Sequence, residues 1–348
     1  MGSSDVSREA ATLEAVALAA GVSRATVSRV VNGSERVSPE TRQAVESAVR
    51  RMGYTPNRAA RSLVTRRTDS IGLVIPEPTT TLFGDPFFAR IVRGVSDVLA
   101  EADLQLVLLT PQSEHEEARL GRYLTSGHLD GVLLLALHGD DPLPNFLAER
   151  GIPAVVGGRP TRNAPVSYVD VDNIHGALAA TRHLVGVGRR RIATVTGQTD
   201  MASAADRVTG YRQALTEAGI PVDPRLELNG GWDQEQARRA VEEFMAGGGE
   251  MDAIFLHSDL MALGVMTALR RAGRRVPDDV AVVGYDDSPL ALTTDPPLSS
   301  VRQPIEEMGR EMARLLLRTV GSSQRIPRSV VLATELVVRG SSERGWVQ

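Results

Sequence analysis

The 348-residue sequence contains no cysteine and no lysine, and only 4% of its residues are aromatic. The absence of cysteine excludes disulfide bonds, thiolate zinc sites and cysteine nucleophiles. The absence of lysine excludes Schiff-base lysines and the lysine of a phosphate-binding P-loop. No apolar run approaches the ~20 residues that a membrane span needs. The chain also does not open with a basic segment followed by an apolar stretch. These absences predict a cytoplasmic protein with no membrane partner.

Charge is distributed unevenly along the chain. The 39 arginines and 43 acidic residues give a net charge of -4. Residues 1–67 hold 11 arginines against 6 acidic residues, whereas the remaining residues hold 28 against 37. An acidic body repels nucleic acid, so a DNA partner would be bound through the basic head. Chance fluctuation explains the asymmetry about equally well, so charge alone leaves the DNA partner open.

The basic head has the pattern of a helix-turn-helix. Residues 13–20 carry apolar side chains at the i, i+3, i+4, i+7 spacing of one helix face. Gly21 ends this helix, and Ser23 can cap a second helix from Arg24 to Val31. A third helix is expected to begin at Pro39, directly after a serine cap. Three short helices in this order can close a small core.

The second of these helices has side chains suited to contacting bases in the major groove of DNA. Its outward positions are Arg24, Ala25, Ser28 and Arg29. Arginines near a helix start can pair bidentately with guanine in the major groove. Residues 56–64 follow the head and are too few to form a stable helix alone. They would fold against a partner copy and DNA, with Leu63 wedged into the minor groove. The alternative is an ordinary linker with Leu63 packed on the body.

The rest of the chain has the pattern of two similar α/β lobes. Short apolar runs alternate with helix-like segments in residues 71–156 and again in residues 192–284. This alternation predicts doubly wound parallel sheets, with a ligand cleft at the carboxyl ends of their strands. The six histidines lack the spacing of a metal site, and residues 186–188 lack the third glycine of a dinucleotide motif. No nucleophile with a base is evident. We therefore predict no metal, no cofactor and no enzymatic activity.

Ordered motifs along the chain resemble the LacI/GalR family of bacterial transcriptional regulators. The head motifs are residues 12–17, 21–33, 37–42 and 53–63. The body motifs are residues 85–88, 128–132, 152–153, 169–173, 207–211, 258–264 and 282–287. The resemblance implies an N-terminal all-α helix-turn-helix head with a hinge helix. It also implies an α/β two-lobed body similar to periplasmic sugar-binding proteins.

The resemblance divides the chain into four segments. These are a flexible tail (1–11), a helix-turn-helix DNA-binding domain (12–55), a hinge helix and linker (56–69) and an effector-binding and dimerisation domain (70–342). The N-lobe would hold residues of about 70–166 and 304–330, and the C-lobe those of about 167–303 and 331–342. The chain would thus cross between the lobes near Ser167, near Gln303 and near Val330.

Two sets of site residues follow from the resemblance. Arg24, Ala25 and Arg29 fall on base-reading positions, and Leu63 falls on the minor-groove wedge. The full DNA-binding set is Ser23, Arg24, Ala25, Thr26, Ser28, Arg29, Asn32, Asn57, Arg61 and Leu63. The effector-binding set is Phe87, Phe88, His138, Arg207, Trp232, Ser258, Asp286 and Gln303. An aromatic plate with charged and amide groups suits a sugar, which has an apolar ring face and a fringe of hydroxyls.

One departure from the family pattern bears on the effector. The family often has an acid after the motif at 152–157, whereas this chain has Gly158 followed by Arg159. A glycine there removes one hydroxyl partner and opens space, which favours a larger glycan. Residues 136–141 and 158–160 resemble actinobacterial members that respond to oligosaccharides such as cellobiose.

The predicted function is a homodimeric repressor of carbohydrate-use genes that binds a pseudo-palindromic operator and responds to a sugar. The last ten residues lack leucine heptads, which favours a dimer over a coiled-coil tetramer. Two alternatives remain open. One is a free solute-binding protein without a DNA role, and the other is a regulator of a non-sugar ligand such as a nucleobase.

Overall fold

A computed structural model of the chain describes residues 12–31, 34, 36–54, 67–161, 164–322 and 326–343. The chain divides into two compact units, Met1–Thr68 and Asp69–Gln348. The predicted tail and residues 56–66 of the predicted hinge lie outside the described residues.

The first unit is a head of three helices, α1 (Leu13–Ala20), α2 (Arg24–Val31) and α3 (Pro39–Met52). Its core is a cluster of small apolar side chains around Val16, Val27 and Val45, one from each helix and all fully buried. Gly21 adopts a left-handed conformation with φ 66°, which lets the chain turn sharply after α1. The Ser23 hydroxyl then accepts the Thr26 N–H at 3.1 Å. The predicted second and third helices are confirmed.

The first lobe of the second unit is a six-stranded parallel sheet. Its strands are β1 (Ser70–Val74), β2 (Gln105–Leu109), β3 (Gly131–Leu135), β4 (Ala154–Gly157), β5 (Ser167–Val171) and β11 (Ser329–Leu332), in the order β11-β5-β4-β3-β1-β2. Its helices are α4 (Thr79–Gly84), α5 (Pro86–Glu101), α6 (Glu114–Thr125), α7 (Leu143–Glu149) and α12 (Ile305–Thr319). Leu133 packs with α5 and α12, whereas Val132 and Leu134 pack with α6 and α7. Helices therefore cover both faces, which explains the continuous apolar run of β3.

The second lobe repeats the arrangement. Its strands are β6 (Ile192–Thr196), β7 (Glu227–Asn229), β8 (Ala253–Leu256), β9 (Ala281–Asp286), β10 (Ser299–Arg302) and β12 (Glu335–Val337), in the order β12-β10-β9-β8-β6-β7. Only β12 runs antiparallel to its neighbour among these described strands. The helices are α8 (Asn173–Gly186), α9 (Ala202–Glu217), α10 (Gln234–Ala246) and α11 (Asp259–Arg271), with 3-10 turns at Pro224–Leu226 and Pro289–Leu292. The expected pair of doubly wound lobes is confirmed.

The chain crosses between the lobes at three places. The expected crossing near Ser167 is wrong, because β5 pairs with β4 and β11 in the first sheet and the chain crosses only after Val171. The second crossing lies between β10 and α12. The third follows Leu332 rather than Val330, since all of β11 pairs with β5. An apolar strand can join either sheet, and only its pairing partner, which is remote in sequence, assigns it to a lobe.

Candidate functional site

The head presents most of the predicted DNA-binding residues on and beside α2. Ser23, Arg24, Ala25 and Arg29 are exposed, whereas Thr26 and Ser28 are half-buried. Arg24 forms an ion pair with Glu14 at 3.1 Å, and both side chains are more than half exposed. Such a pair contributes at most about 1 kcal/mol, so it does not hold Arg24 away from a ligand. The other predicted DNA-binding residues lie outside the described residues: Asn32, Asn57, Arg61 and Leu63.

A cavity of about 1160 Å³, open to solvent, lies between the two lobes of the second unit. It opens where the strands of both sheets end, the usual ligand position in doubly wound folds. Its wall includes seven of the eight predicted effector-binding residues: Phe87, Phe88, Arg207, Trp232, Ser258, Asp286 and Gln303.

Arg207 is the central cation of this cavity. It lies on α9 and is only 4% exposed. Its Nε donates to the Asn173 side-chain oxygen at 2.9 Å, and its Nη1 donates to the carbonyl oxygen of His257. The guanidinium carbon lies 3.6 Å from the centre of the Tyr285 ring and 5.3 Å from the Trp232 ring. These contacts fix the guanidinium in place before any ligand arrives.

Asp286 is the buried acid at the end of β9. Gln303, from the crossing into α12, donates its side-chain N–H to one Asp286 carboxylate oxygen. Burial raises the pKa of Asp286 well above its ordinary value, although the nearby Arg207 opposes the shift. Arg90 of α5 donates to the Asp286 carbonyl oxygen at 3.3 Å and so links the two lobes. Gln303 and Asp286 therefore meet in the cavity although they lie on different elements.

Two further acids in the cavity wall accept hydrogen bonds from main-chain N–H groups; Asp170 is buried and Asp85 is half-buried. Asp170, at the end of β5, accepts the main-chain N–H of Val171 at 2.8 Å and that of Arg159 at 3.1 Å. Asp85 caps α5 by accepting the Phe87 N–H at 2.9 Å. Burial is the largest influence on both carboxyls and raises the pKa of each. Both carboxyls line the cavity at the carboxyl edge of the first sheet, where their oxygens could accept hydrogen bonds from a ligand.

Trp232 supplies the aromatic plate. Its ring packs against Gly197, where an added Cβ would come within 2.0 Å of the ring, so the close approach needs glycine. Its indole N–H donates to the Met201 sulfur at 3.2 Å. A thioether is a weak acceptor, so a ligand hydroxyl can compete for this N–H. The ring therefore has both an apolar face and a polar edge at the cavity.

The two phenylalanines and Ser258 have partly structural contacts. The rings of Phe87 and Phe88 meet edge to face, with centroids 5.4 Å apart. Phe88 is buried in the core of the first lobe, and Phe87 packs at its edge. The Ser258 hydroxyl accepts the Met261 N–H at 3.2 Å and caps α11. All three line the cavity, and their direct contact with a ligand remains a prediction.

His138 lies at the mouth of the cleft, and the described cavity wall does not include it. Its Nε2 lies 3.0 Å from a Glu77 carboxylate oxygen and its Nδ1 lies 3.3 Å from an Asp200 oxygen. The hydrogen bond with Glu77 is the main cause that raises the pKa of His138 above its ordinary value. Both ring nitrogens thus contact protein, and its predicted role in effector binding stays a prediction.

Sequence reasoning missed several polar or sulfur-bearing residues of the wall. Among them are Asp85, Asp170, Asn173 and Met201. Two signals could have found the first three: Asp85 lies in the same short motif as Phe87 and Phe88, and Asp170 and Asn173 lie at the carboxyl end of a strand. Met201 lies in an unremarkable polar stretch, and only the fold brings it to Trp232.

Acidic side chains outnumber arginines in the cavity wall. The ionisable wall residues are Glu77, Asp85, Asp141, Asp170, Asp286, Arg159 and Arg207. Five acids against two arginines disfavour an anionic ligand such as a sugar phosphate and suit a neutral ligand rich in hydroxyl groups. Within the described ranges, no cluster of three or more potential metal ligands occurs. No described helix is long and apolar enough to cross a membrane.

The fold and the cavity define a class of protein: a helix-turn-helix head followed in one chain by a two-lobed α/β body with a ligand-sized cleft. Comparison with known proteins agrees with this class. Residues 12–57 match the family described as bacterial regulatory proteins, lacI family. Residues 181–342 match the periplasmic binding protein-like domain.

Full-length relatives establish the family. The HTH-type transcriptional regulator CelR of Thermobifida fusca is 52% identical over 336 residues, which cover 96% of this chain and 99% of CelR. The chain therefore belongs to the lacI family of bacterial regulatory proteins and is a helix-turn-helix transcriptional regulator.

Solved structures agree with this assignment. A CelR–cellobiose complex matches with a TM-score of 0.77 and 50% identity, covering 95% of this chain and 99% of that one. The lac repressor dimer bound to operator and the anti-inducer ONPF matches with a TM-score of 0.84 and 27% identity, covering 96% and 99%.

Proposed function

We propose that this protein is a cytoplasmic, homodimeric repressor of carbohydrate-use genes, without enzymatic activity, whose operator affinity falls when a neutral oligosaccharide fills the cleft. The best candidate effector is a β-linked disaccharide such as cellobiose. The proposal rests on one observation above others. A cavity with an aromatic plate, a fixed arginine and several carboxylates lies in the same chain as a DNA-binding head.

The composition of the cavity supports a sugar. The Trp232 ring can stack on the apolar face of a pyranose, and Arg207 and Asp286 can hydrogen-bond its hydroxyls. Asp85 and Asp170 add two more acceptors. The excess of acids in the wall argues against phosphorylated sugars and nucleotides.

Open space beside Gly158 supports a ligand of more than one sugar ring. Gly158 has φ +94°, and an added Cβ there would meet no atom within 4 Å. The space that a side chain would occupy is therefore open and next to the cavity wall. The relative CelR is known in complex with cellobiose, and its similarity to this chain extends over nearly the whole length.

The head would bind DNA through α2, with Arg24, Ala25 and Arg29 at base edges and Ser23, Thr26 and Ser28 near the backbone. Asn32, Asn57 and Arg61 would add backbone contacts, and Leu63 would be the minor-groove wedge. Two heads of a dimer would bind the half-sites of a pseudo-palindrome. Typical coupling free energies of about 1–3 kcal/mol correspond to affinity changes of about 5-fold to 150-fold. By linkage, operator would weaken sugar binding by the same factor.

Isothermal titration of the full chain tests the effector. Cellobiose, glucose, glucose 6-phosphate and adenosine are titrated separately into the protein without DNA. We expect cellobiose to bind more tightly than glucose, and the phosphate and the nucleoside to show no saturable heat. Binding of adenosine but of neither sugar would overturn the assignment of a sugar effector.

A further inference from the structure

The side chain of Arg159 reaches across the mouth of the cleft. Arg159 follows β4 of the first lobe, and its Nη2 lies 2.7 Å and 2.9 Å from the two carboxylate oxygens of Asp206. Asp206 is on α9 of the second lobe, next to Arg207, and its side chain is only 16% exposed. The contact therefore joins the first lobe to the helix that carries the central cation of the cavity.

The main chain of Arg159 makes a second link toward the same cation. Its N–H donates to one Asp170 oxygen at 3.1 Å, and the other Asp170 oxygen accepts the Asn173 side-chain N–H at 3.2 Å. The Asn173 side-chain oxygen in turn accepts Arg207 Nε at 2.9 Å. Gly158, with φ +94°, provides the turn that brings this N–H to Asp170. A continuous chain of hydrogen bonds thus runs from residue 159 to the Arg207 guanidinium.

We propose that Arg159 is a positioning residue for the effector cavity, which holds α9 against the first lobe so that Arg207 faces a ligand bound between the lobes. The part of this proposal that concerns the ligand rests on the proposed function, whereas the part that concerns the contact between the lobes does not. Other contacts also span the cleft, at His138 with Asp200 and at Arg90 with the Asp286 carbonyl. Arg159 differs from both because it acts on the segment that carries Arg207.

A matched control exists on the same helix. Arg212 of α9 donates to both carboxylate oxygens of Glu227, each at 2.7 Å. The exposures of the two pairs are nearly equal: 46% and 16% for Arg159 and Asp206, and 53% and 14% for Arg212 and Glu227. Both members of the control pair lie in the second lobe. Arg212→Ala therefore removes an equivalent ion pair without touching the connection between lobes.

The first measurement is the affinity and dissociation rate of cellobiose for the full chain. Partly exposed ion pairs have modest energies, so we expect Arg159→Ala to weaken cellobiose binding about twofold to fivefold, mainly through faster dissociation. Arg212→Ala should bind as the wild type does. Asp206→Asn should give a similar loss, and the double variant should lose no more than either single variant. Equal affinities in Arg159→Ala and Arg212→Ala would overturn the proposal.

The second measurement needs no ligand. Because the chain has no cysteine, the paired substitutions His115→Cys on α6 and Ala246→Cys on α10 place one spin label on each lobe of the same chain. Both positions are exposed. Labelled chains are diluted with unlabelled ones, and pulsed electron resonance then gives the distance between the labels.

We expect Arg159→Ala, but not Arg212→Ala, to broaden this distribution toward longer distances. An unchanged distribution in Arg159→Ala would overturn the proposal. If the wild type binds no sugar at all, the proposed effector is wrong, and the label distances still decide the role of Arg159.

Discussion

Replacing Asp286 by asparagine removes an ionisable carboxyl from the cavity with almost no change in shape. The side chain is 6% exposed and lines the cavity, and Gln303 already donates to one of its oxygens. Hydrogen bonds to charged groups contribute about 1.5–3 kcal/mol, whereas neutral ones contribute about 0.5–1.5. The loss on Asp286→Asn should therefore be about 1–2 kcal/mol, or sugar binding weaker by about fivefold to thirtyfold.

The same substitution should change how sugar affinity depends on pH. Burial raises the pKa of Asp286 well above the ordinary value for aspartate. The Asp286 carboxyl therefore stays protonated to higher pH when the cavity is empty. A ligand hydroxyl that donates to Asp286 favours the ionised carboxylate, so binding releases the proton. Affinity must then rise as pH increases through the raised pKa. Asp85 and Asp170 also have raised pKa values, so the variant should show a smaller slope rather than none.

The assay is cellobiose titration at several pH values, with Asp259→Asn as the control. Asp259 is an equally buried acid of the second lobe that is not part of the cavity wall, and it accepts hydrogen bonds from Ser300 and from the Ser288 N–H. Its substitution should keep the rise of sugar affinity with pH but move it to lower pH, because the Asp259 charge helps to raise the pKa of Asp286. An Asp286→Asn variant with wild-type affinity and wild-type slope would refute the role given to Asp286.

Three further predictions concern the head, the aromatic plate and the stability of the body. Arg29→Ala should weaken operator binding by about 1–3 kcal/mol and relax preference at one base pair, measured by binding to single-base operator variants; a uniform loss over all variants would indicate a phosphate contact instead. Trp232→Ala should weaken cellobiose binding by about 1–2 kcal/mol because the stacking surface is lost, while operator binding without sugar stays unchanged; calorimetry and gel shift check both, and unaltered sugar affinity would exclude stacking. Burial raises the pKa of Asp259 to about 7, so its folded-state pKa exceeds the unfolded value and stability falls as pH rises from about 4 to 7. This loss amounts to about 4 kcal/mol in the free energy of unfolding. Asparagine cannot ionise, so the stability of Asp259→Asn relative to the wild type should be greater at pH 8 than at pH 4, as measured by denaturant unfolding. Parallel pH profiles for the two proteins would contradict the raised pKa of Asp259.

Local patterns in the sequence predict the helices of the head and the fold class of the body. The serine cap at Ser23 and the glycine turn at Gly21 are short-range signals, and the helices they delimit are where the spacing of apolar residues predicts them. The alternation of apolar runs and helical segments likewise predicts two parallel sheets, because each run is buried on both faces.

Contacts between residues that are distant in sequence determine the features that the sequence does not predict. The strand β5 has the same apolar character whichever sheet it joins, so its place in the first lobe depends on β4 and β11. Similarly, nothing near Arg159 in the sequence indicates Asp206, which lies far along the chain. His138 was expected to face the effector, and only the fold brings Glu77 and Asp200 to its ring.

Operator affinity measured with and without cellobiose tests whether the cleft is coupled to the head. An operator fragment is first selected from a random-sequence pool with the full chain, and its binding is followed by fluorescence anisotropy at fixed salt. Saturating cellobiose should lower the affinity by about 5-fold to 150-fold, and glucose 6-phosphate should have no effect. An operator affinity that stays the same while calorimetry shows the cleft filled with cellobiose would contradict the coupling between cleft and head.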